Sequence, residues 1–464
     1  MRYVSTRGKA PELSFREVLL EGLARDGGLY MPAEIPVLSS FLIKSFKDKS
    51  YKEIAFDVMK PYVEADLSDE ELRDLIARSY SKFHHPDITP LHKLEDDFFV
   101  LELFHGPTLA FKDVALQFLG NLFEWALKDQ DPITIIGATS GDTGSAAIEG
   151  CRGHDKVRLF ITHPHERVST VQRKQMTSVI ADNIYNIAVK GTFDDCQNLV
   201  KDLFNDETIR TEMRLSAINS INWARICAQI PYYFYAASRL KKSDTELVVT
   251  VPTGNFGNVF AGILAKKMGA PIDRFIIATN ENDSVHHCLE TGEMRTGTVK
   301  KTLSPSMDIQ ISSNFERLLY LELNRDTATV SSLMEQLKKE GSYKWTPKLS
   351  NLVTSYSVSN EETKETIGKI YEEYGYMADP HTATGLFASA QDYYESEEGA
   401  VIYCSLGCAH PAKFPDAILH ETERKPALPD FLSDLYERAE KLSVLDNDKE
   451  TLISFMRQAL DDKN

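Results

Sequence analysis

Leu247-Val248-Val249-Thr250-Val251-Pro252-Thr253-Gly254-Asn255-Phe256-Gly257-Asn258-Val259 holds a strand, a turn and the start of a helix. The apolar, β-branched run 247–251 reads as a strand, Gly254–Asn258 as a turn, and Val259 to Met268 as a helix. Glycines in such a turn let backbone N–H groups converge. The helix N-terminus adds partial positive charge, so the loop suits a phosphate. The plainer alternative is an ordinary tight strand-to-helix turn.

The same rhythm continues outward. Ile133–Ile136 is a short apolar strand leading into Gly137-Ala138-Thr139-Ser140-Gly141-Asp142-Thr143-Gly144 and a helix of small residues. Val157–Ile161, Ile184–Val189 and Phe275–Ala278 read as further strands, and Ala400–Cys404 as a late strand of the same sheet. Helical patterns follow near Val168–Val179, Asp194–Phe204 and Asn222–Leu240. This alternation predicts an α/β fold with parallel sheets and helices on both faces. Residues 280–360 are less regular, with helical patterns near Phe315–Leu323 and Val330–Lys338. Residues 1–88 read as mostly helical. There Ser68-Asp69-Glu70-Glu71 is an N-cap followed by acidic residues. His84-His85-Pro86 breaks that pattern. The expected organisation is a helical domain 1–88, a large domain 89–130 with 220–464, and a smaller α/β domain 131–219.

The 464 residues carry a formal charge of -17 and are 42% hydrophobic. Such a chain has large cores and lacks the cationic footprint of a non-specific nucleic-acid binder. The charge also disfavours an anionic membrane surface, and no apolar run approaches a membrane span. An anionic substrate needs a local site that works against this field. Six scattered cysteines form no disulfide framework, and the first residues lack the apolar core of a secretory signal. A cytoplasmic protein is the expectation.

Lys112 closes Phe104-His105-Gly106-Pro107-Thr108-Leu109-Ala110-Phe111-Lys112-Asp113 and precedes a strongly apolar helix. A lysine there is costly unless its charge is offset or its amine is covalently occupied. Otherwise it snorkels to solvent. The 137–144 loop is neither a Walker A loop nor a dinucleotide fingerprint. Its hydroxyls and N–H groups suit a carboxylate, the alternative being close helix–strand packing. Asn219-Ser220-Ile221-Asn222-Trp223-Ala224-Arg225 offers capping side chains, and Arg225 as a donor to an anion. Cys404, Cys408 and His410 have no zinc spacing, so no metal is expected. No G-x-S-x-G elbow is present. One lysine, a phosphate-type loop and a carboxylate-type loop in separate βα units together suit pyridoxal 5'-phosphate and an amino-acid substrate.

The chain resembles the threonine synthases of the longer bacterial and fungal type, fold-type II pyridoxal-phosphate enzymes related to the tryptophan synthase β chain. The motifs carrying the resemblance are Tyr3–Gly8 (YVSTRG), Asp26–Pro32 (DGGLYMP), Phe104–Asp113, Gly137–Gly144, Asn219–Arg225, Pro252–Asn258 (PTGNFGN), Asp379–Thr382 (DPHT) and Ala409–Phe414 (AHPAKF). Their joint order spans nearly the whole chain. The resemblance implies two interleaved domains with a helical N-terminal extension. It implies that Lys112 holds the cofactor covalently and shuttles protons. Gly254, Asn255, Phe256, Gly257 and Asn258 would hold the cofactor phosphate. Thr139, Ser140, Gly141, Asp142 and Thr143 would face the substrate carboxylate, with Asp142 also near the cofactor's phenolic oxygen. The implied reaction turns O-phospho-L-homoserine and water into L-threonine and phosphate. Arg225, and second Arg7, are expected to meet the leaving phosphate. Family members commonly place threonine where this chain has Cys408, opposite the pyridine nitrogen. A thiol is a weaker partner there, and Ser405, a water or a purely structural thiol are the alternatives. Two other functions remain open at this point: a phospho-lyase giving 2-oxobutyrate, and a catalytically silent cofactor-binding regulator. A monomer or homodimer is expected.

Overall fold

Val401–Gly407 lies inside a six-stranded sheet. The order is Val353–Ser357, Arg274–Thr279, Glu246–Pro252, Val401–Gly407, Phe98–Glu102 and Leu91–Lys93. All neighbours run parallel except the last pair. The computed structural model describes residues 1–345, 352–396 and 400–461. It divides into two units, Met1–Phe118 with Ser220–Ala427, and Leu119–Asn219 with Leu428–Asn464. The six-stranded sheet belongs to the first.

Side chains alternate across a strand, so each face of this sheet needs its own cover. Val248, Ile276 and Tyr403 face Ala388 of the helix Pro380–Glu395. On the other face a Cβ on Gly262 would lie 2.7 Å from the Phe275 ring and 2.8 Å from Tyr233. The absence of a side chain there lets the helix Gly257–Lys267 fit between the sheet and the helix Trp223–Leu240. Near one end of the sheet Arg274 makes two bonds to Asp392, at 2.8 and 2.6 Å, and one to Glu246 at 2.8 Å.

The N-terminal helices Tyr51–Val63 and Asp69–Tyr80 each open on a capping box, Ser50 with Glu53 and Ser68 with Glu71. Tyr51 and Tyr62 pack their rings on Tyr235 and Trp223 of the long helix. The strands Tyr3–Ser5 and Tyr30–Pro32 pair antiparallel. Asp26 ties the two N-terminal motifs together, accepting from Ser5 Oγ at 2.8 Å, Lys9 N at 2.8 Å and Ala10 N at 3.0 Å.

The second unit has a five-stranded parallel sheet. Its order is Ser443–Asp446, Ile184–Lys190, Val157–Pro164, Ile133–Ala138 and Leu215–Ser216. The helices Phe193–Asn205 and Lys449–Asp461 cover one face through Leu199, Leu203, Leu452 and Met456. Gly120 and Gly150 let two other helices cross at backbone distance. A Cβ on Gly120 would stand 1.9 Å from the Gly150 carbonyl oxygen.

Several strands escape the sequence pattern, Phe98–Glu102 and two edge strands among them. Val353–Ser357 and Ser443–Asp446 are both edge strands, half-buried or exposed in part, and both interleave polar residues. Neither carries the continuous apolar run of the central strands.

Candidate active site

The lysine loop is built by backbone pairing. Phe111 N donates to Cys408 O at 2.8 Å and His410 N to Leu109 O at 3.0 Å. Leu109 takes a left-handed φ of 62°, rare for a leucine. Burial of its side chain and these bonds hold it there. Gly106 is required, since a Cβ would overlap Asp113 Cβ at 2.4 Å. Asp113 accepts from Thr108 N and Thr108 Oγ1, both at 2.8 Å, and from Gln117 at 3.1 Å. Burial nevertheless pushes its carboxyl up to about 6.

Lys112 opens the helix Lys112–Ala126. Its side chain is only 7% exposed, so it does not snorkel. The amine donates to Ser306 Oγ at 3.2 Å and sits 4.7 Å from the centre of the Phe111 ring.

The Gly254–Asn258 loop lies in the same unit as Lys112. Phe256 caps the helix Gly257–Lys267 in a left-handed conformation, φ 63°, and no side chain caps that end. The Phe256 ring is pinned edge-on against Phe315, 5.1 Å away. From behind, Asn314 donates to Asn255 O through its backbone N at 3.1 Å and its Nδ2 at 3.0 Å. Ser312 Oγ donates to Gly254 O. The Asn258 amide oxygen accepts from the hydroxyls of Tyr232 and Tyr233. Its buried Nδ2 finds no acceptor among the described residues. A buried donor without an acceptor, beside an uncapped helix N-terminus, fits a phosphate oxygen.

Cys408 is buried, with its thiol 3.7 Å from Leu406 O. Its backbone N donates to Thr382 Oγ1 at 2.9 Å. Ser405 Oγ is buried without a partner among the described residues, close to where a Cβ on Gly385 would be, at 2.7 Å. Nearby His410 is pushed down to about 4, first by burial and then by His105.

Asp379 and His381 belong to the DPHT motif, and Ser306 lies outside every motif of the sequence. Asp379 caps the helix Pro380–Glu395, accepting from the N–H groups of His381 at 3.0 Å and Thr382 at 3.3 Å. It also accepts from Thr382 Oγ1 and from Ala409 N at 3.2 Å. The readable signal was an Asp-Pro helix start.

In the second unit, Thr139 Oγ1 accepts from Gly141 N at 3.0 Å and Gly144 N at 2.9 Å. This curls the loop before the helix Asp142–Cys151. Gly141 has φ 138°, and a Cβ there would lie 2.5 Å from Gln172 Cδ. Asp142 is buried and accepts from Gln172 Nε2 at 2.9 Å. Gln172 carried no sequence signal. Ser140 and Thr143 are half-buried.

The two arginines differ. Arg7 makes a bidentate pair with Glu316, at 3.1 and 2.9 Å. Arg225 is fully buried near the start of the long helix, and burial pulls its guanidinium down to about 10. It stays cationic at neutral pH.

Residues 2–80 match the family described as threonine synthase N terminus, 83–405 pyridoxal-phosphate dependent enzyme, and 382–456 threonine synthase, C-terminal. A threonine synthase of Pseudomonas aeruginosa is 47% identical, over 99% of this chain and 98% of its own. The crystal structure of pyridoxal-phosphate-bound threonine synthase from Brucella melitensis superposes with a TM-score of 0.95 at 45% identity, covering 99% of each chain. The yeast threonine synthase structure gives 0.94 at 41% identity, again covering 99% of each. With three family models in order and identity above 40% along nearly its full length, the chain belongs to the threonine synthases, in the fold-type II group of pyridoxal-phosphate-dependent enzymes.

Proposed function

We propose that the protein converts O-phospho-L-homoserine and water to L-threonine and phosphate, by γ-elimination of phosphate and β-addition of water. The observation that carries this is the buried Lys112 amine, held by Ser306, in one unit with the uncapped Gly254–Asn258 loop. Bound pyridoxal 5'-phosphate supplies an electron sink that lets protons leave carbons next to the substrate nitrogen.

The chain's own residues do the rest. Gly254, Asn255, Phe256, Gly257 and Asn258 hold the cofactor phosphate through backbone N–H groups and Asn258 Nδ2. Lys112 would hold the cofactor covalently, and its amine, when free, would take and return protons on the substrate side. Cys408 would face the pyridine nitrogen as a weak, neutral partner. Thr139, Ser140, Gly141, Asp142 and Thr143 receive the substrate carboxylate, and Gln172 keeps Asp142 oriented. Asp142 would also serve the cofactor's phenolic oxygen. Arg225 offsets the leaving phosphate. Arg7 is second to it, because Glu316 already shares its charge.

We further infer that residues 1–88 are a helical extension of the cofactor-bearing unit, and that the smaller unit is larger than the expected 131–219, since Ser443–Asp446 pairs with its sheet and brings Leu428–Asn464 into it. A monomer or homodimer in the cytoplasm suits an acidic chain whose six cysteines are free and buried. Incubation of the holoenzyme with O-phospho-L-homoserine tests the reaction. Threonine with phosphate is the expected product. 2-Oxobutyrate moves the protein to a phospho-lyase. A cofactor spectrum indifferent to Lys112→Ala makes it a silent binder.

A further inference from the structure

Ser306 stands between the buried lysine and a buried histidine–aspartate pair. Its Oγ accepts from Lys112 Nζ at 3.2 Å, and its backbone N–H donates to His381 Nε2, also at 3.2 Å. An Nε2 that accepts carries no proton, so the ring hydrogen is on Nδ1. That N–H donates to Asp379 Oδ1 at 2.7 Å. Asp379 is 0% exposed and His381 3%.

Aspartate, histidine and serine in this order suggest a nucleophile triad, but the bond that joins His381 Nε2 to Ser306 runs to the main-chain amide. An amide proton does not transfer, so this bond is a positioning one. The pair instead fixes the backbone of the short 3-10 turn Pro305–Met307. The other Asp379 oxygen holds Thr382 Oγ1 and Ala409 N, and Thr382 in turn holds Cys408 N. One carboxylate therefore sets both the loop beside the lysine and the strand end that carries Cys408.

A lysine released from the cofactor regains a flexible four-carbon chain. Proton transfer then depends on what keeps its amine in place. We propose that Ser306 is a further catalytic residue of the reaction assigned above, its hydroxyl holding the Lys112 amine while that amine is off the cofactor, with Asp379 and His381 as positioning residues for Ser306. The proposal rests on that functional reading. Toward the Lys112 amine Ser306 accepts a hydrogen bond, and no proton passes to it.

The test uses holoenzyme with Ser306→Ala, Ser306→Thr, His381→Gln and His381→Asn. Borohydride reduction followed by peptide mass spectrometry reports cofactor on Lys112 without turnover. Ser306→Ala keeps wild-type trapping while kcat falls about 10–100-fold and KM for O-phospho-L-homoserine stays within about twofold. Ser306→Thr restores most of kcat. His381→Gln places an acceptor near the position of Nε2 and recovers activity, whereas His381→Asn falls as far as Ser306→Ala. Wild-type kcat in Ser306→Ala, or equal losses in the two His381 variants, overturns the proposal. Trapped wild-type enzyme that makes neither threonine nor phosphate overturns the functional reading alone. The Ser306 proposal is then read from the rate at which hydroxylamine displaces the cofactor from Lys112. That rate is slower in Ser306→Ala if Ser306 holds the departing amine, and unchanged if it does not.

Discussion

Gly254 and Ser306 meet backbone to backbone: a Cβ on Gly254 would stand 2.8 Å from the Ser306 carbonyl oxygen and 3.1 Å from Met307 Cα. The phosphate-type loop and the turn beside Lys112 are thus one packed object. Gly254→Ala must push them apart, at an overpacking cost of about 2 kcal/mol, or roughly thirtyfold in an equilibrium constant. The expected outcome is weaker cofactor binding of that order, measured by fluorescence titration of the apoenzyme with pyridoxal 5'-phosphate.

Gln172 holds Asp142 in the carboxylate-type loop at 2.9 Å. A hydrogen bond to a charged group contributes about 1.5–3 kcal/mol. Gln172→Leu is expected to raise KM for O-phospho-L-homoserine at least about tenfold. Cofactor trapped on Lys112 should not change. Steady-state kinetics with the borohydride assay separates the two effects.

Asp113 gives a pH signature. Burial holds its carboxyl at about 6, above the ordinary carboxylate value. Between about pH 4 and 6 the folded protein keeps a proton that the unfolded chain has released. This group's contribution to stability is therefore greatest below about pH 4, declines as pH rises to 6, and is level above that. Relative to Asp113→Asn, wild type should lose about 3 kcal/mol of stability across that window. Urea denaturation of both proteins at several pH values measures it, and a flat difference would contradict the assignment.

Gly120 and Gly150 cross so closely that Gly120→Ala has no room, with 1.9 Å to a carbonyl oxygen. The variant should unfold at lower denaturant, by about 2–3 kcal/mol, without loss of m-value. Gly375, with nothing within 4 Å, fails for a different reason: its φ is 65°. Gly375→Ala there costs about 1 kcal/mol through backbone strain alone.

Legibility in the sequence followed the length of the signal. The strand Glu246–Pro252, its turn and the helix Gly257–Lys267 announce themselves within about twenty residues, because period and turn chemistry agree. Lys112 was readable as an oddity at an apolar helix start, and its burial required the fold. Ser306 was not readable. A serine in an irregular loop has no period, and its meaning comes from His381, 75 positions on. Gln172 reads as one polar residue in a short helix. The edge strands Val353–Ser357 and Ser443–Asp446 lacked an apolar run because one side of each faces no further strand.

The position of Val401–Gly407 has a consequence for how the chain is made. It is paired on both sides, with Phe98–Glu102 and with Glu246–Pro252. Ribosomes add roughly 5–20 residues per second, so the first neighbour waits roughly 15–60 s for its partner. For that interval the edge of Phe98–Glu102 is open to other chains, joined for the last roughly 8–30 s by that of Glu246–Pro252. Protection of the nascent chain is expected to raise the yield, and variants that slow late synthesis should aggregate without any change in the finished fold.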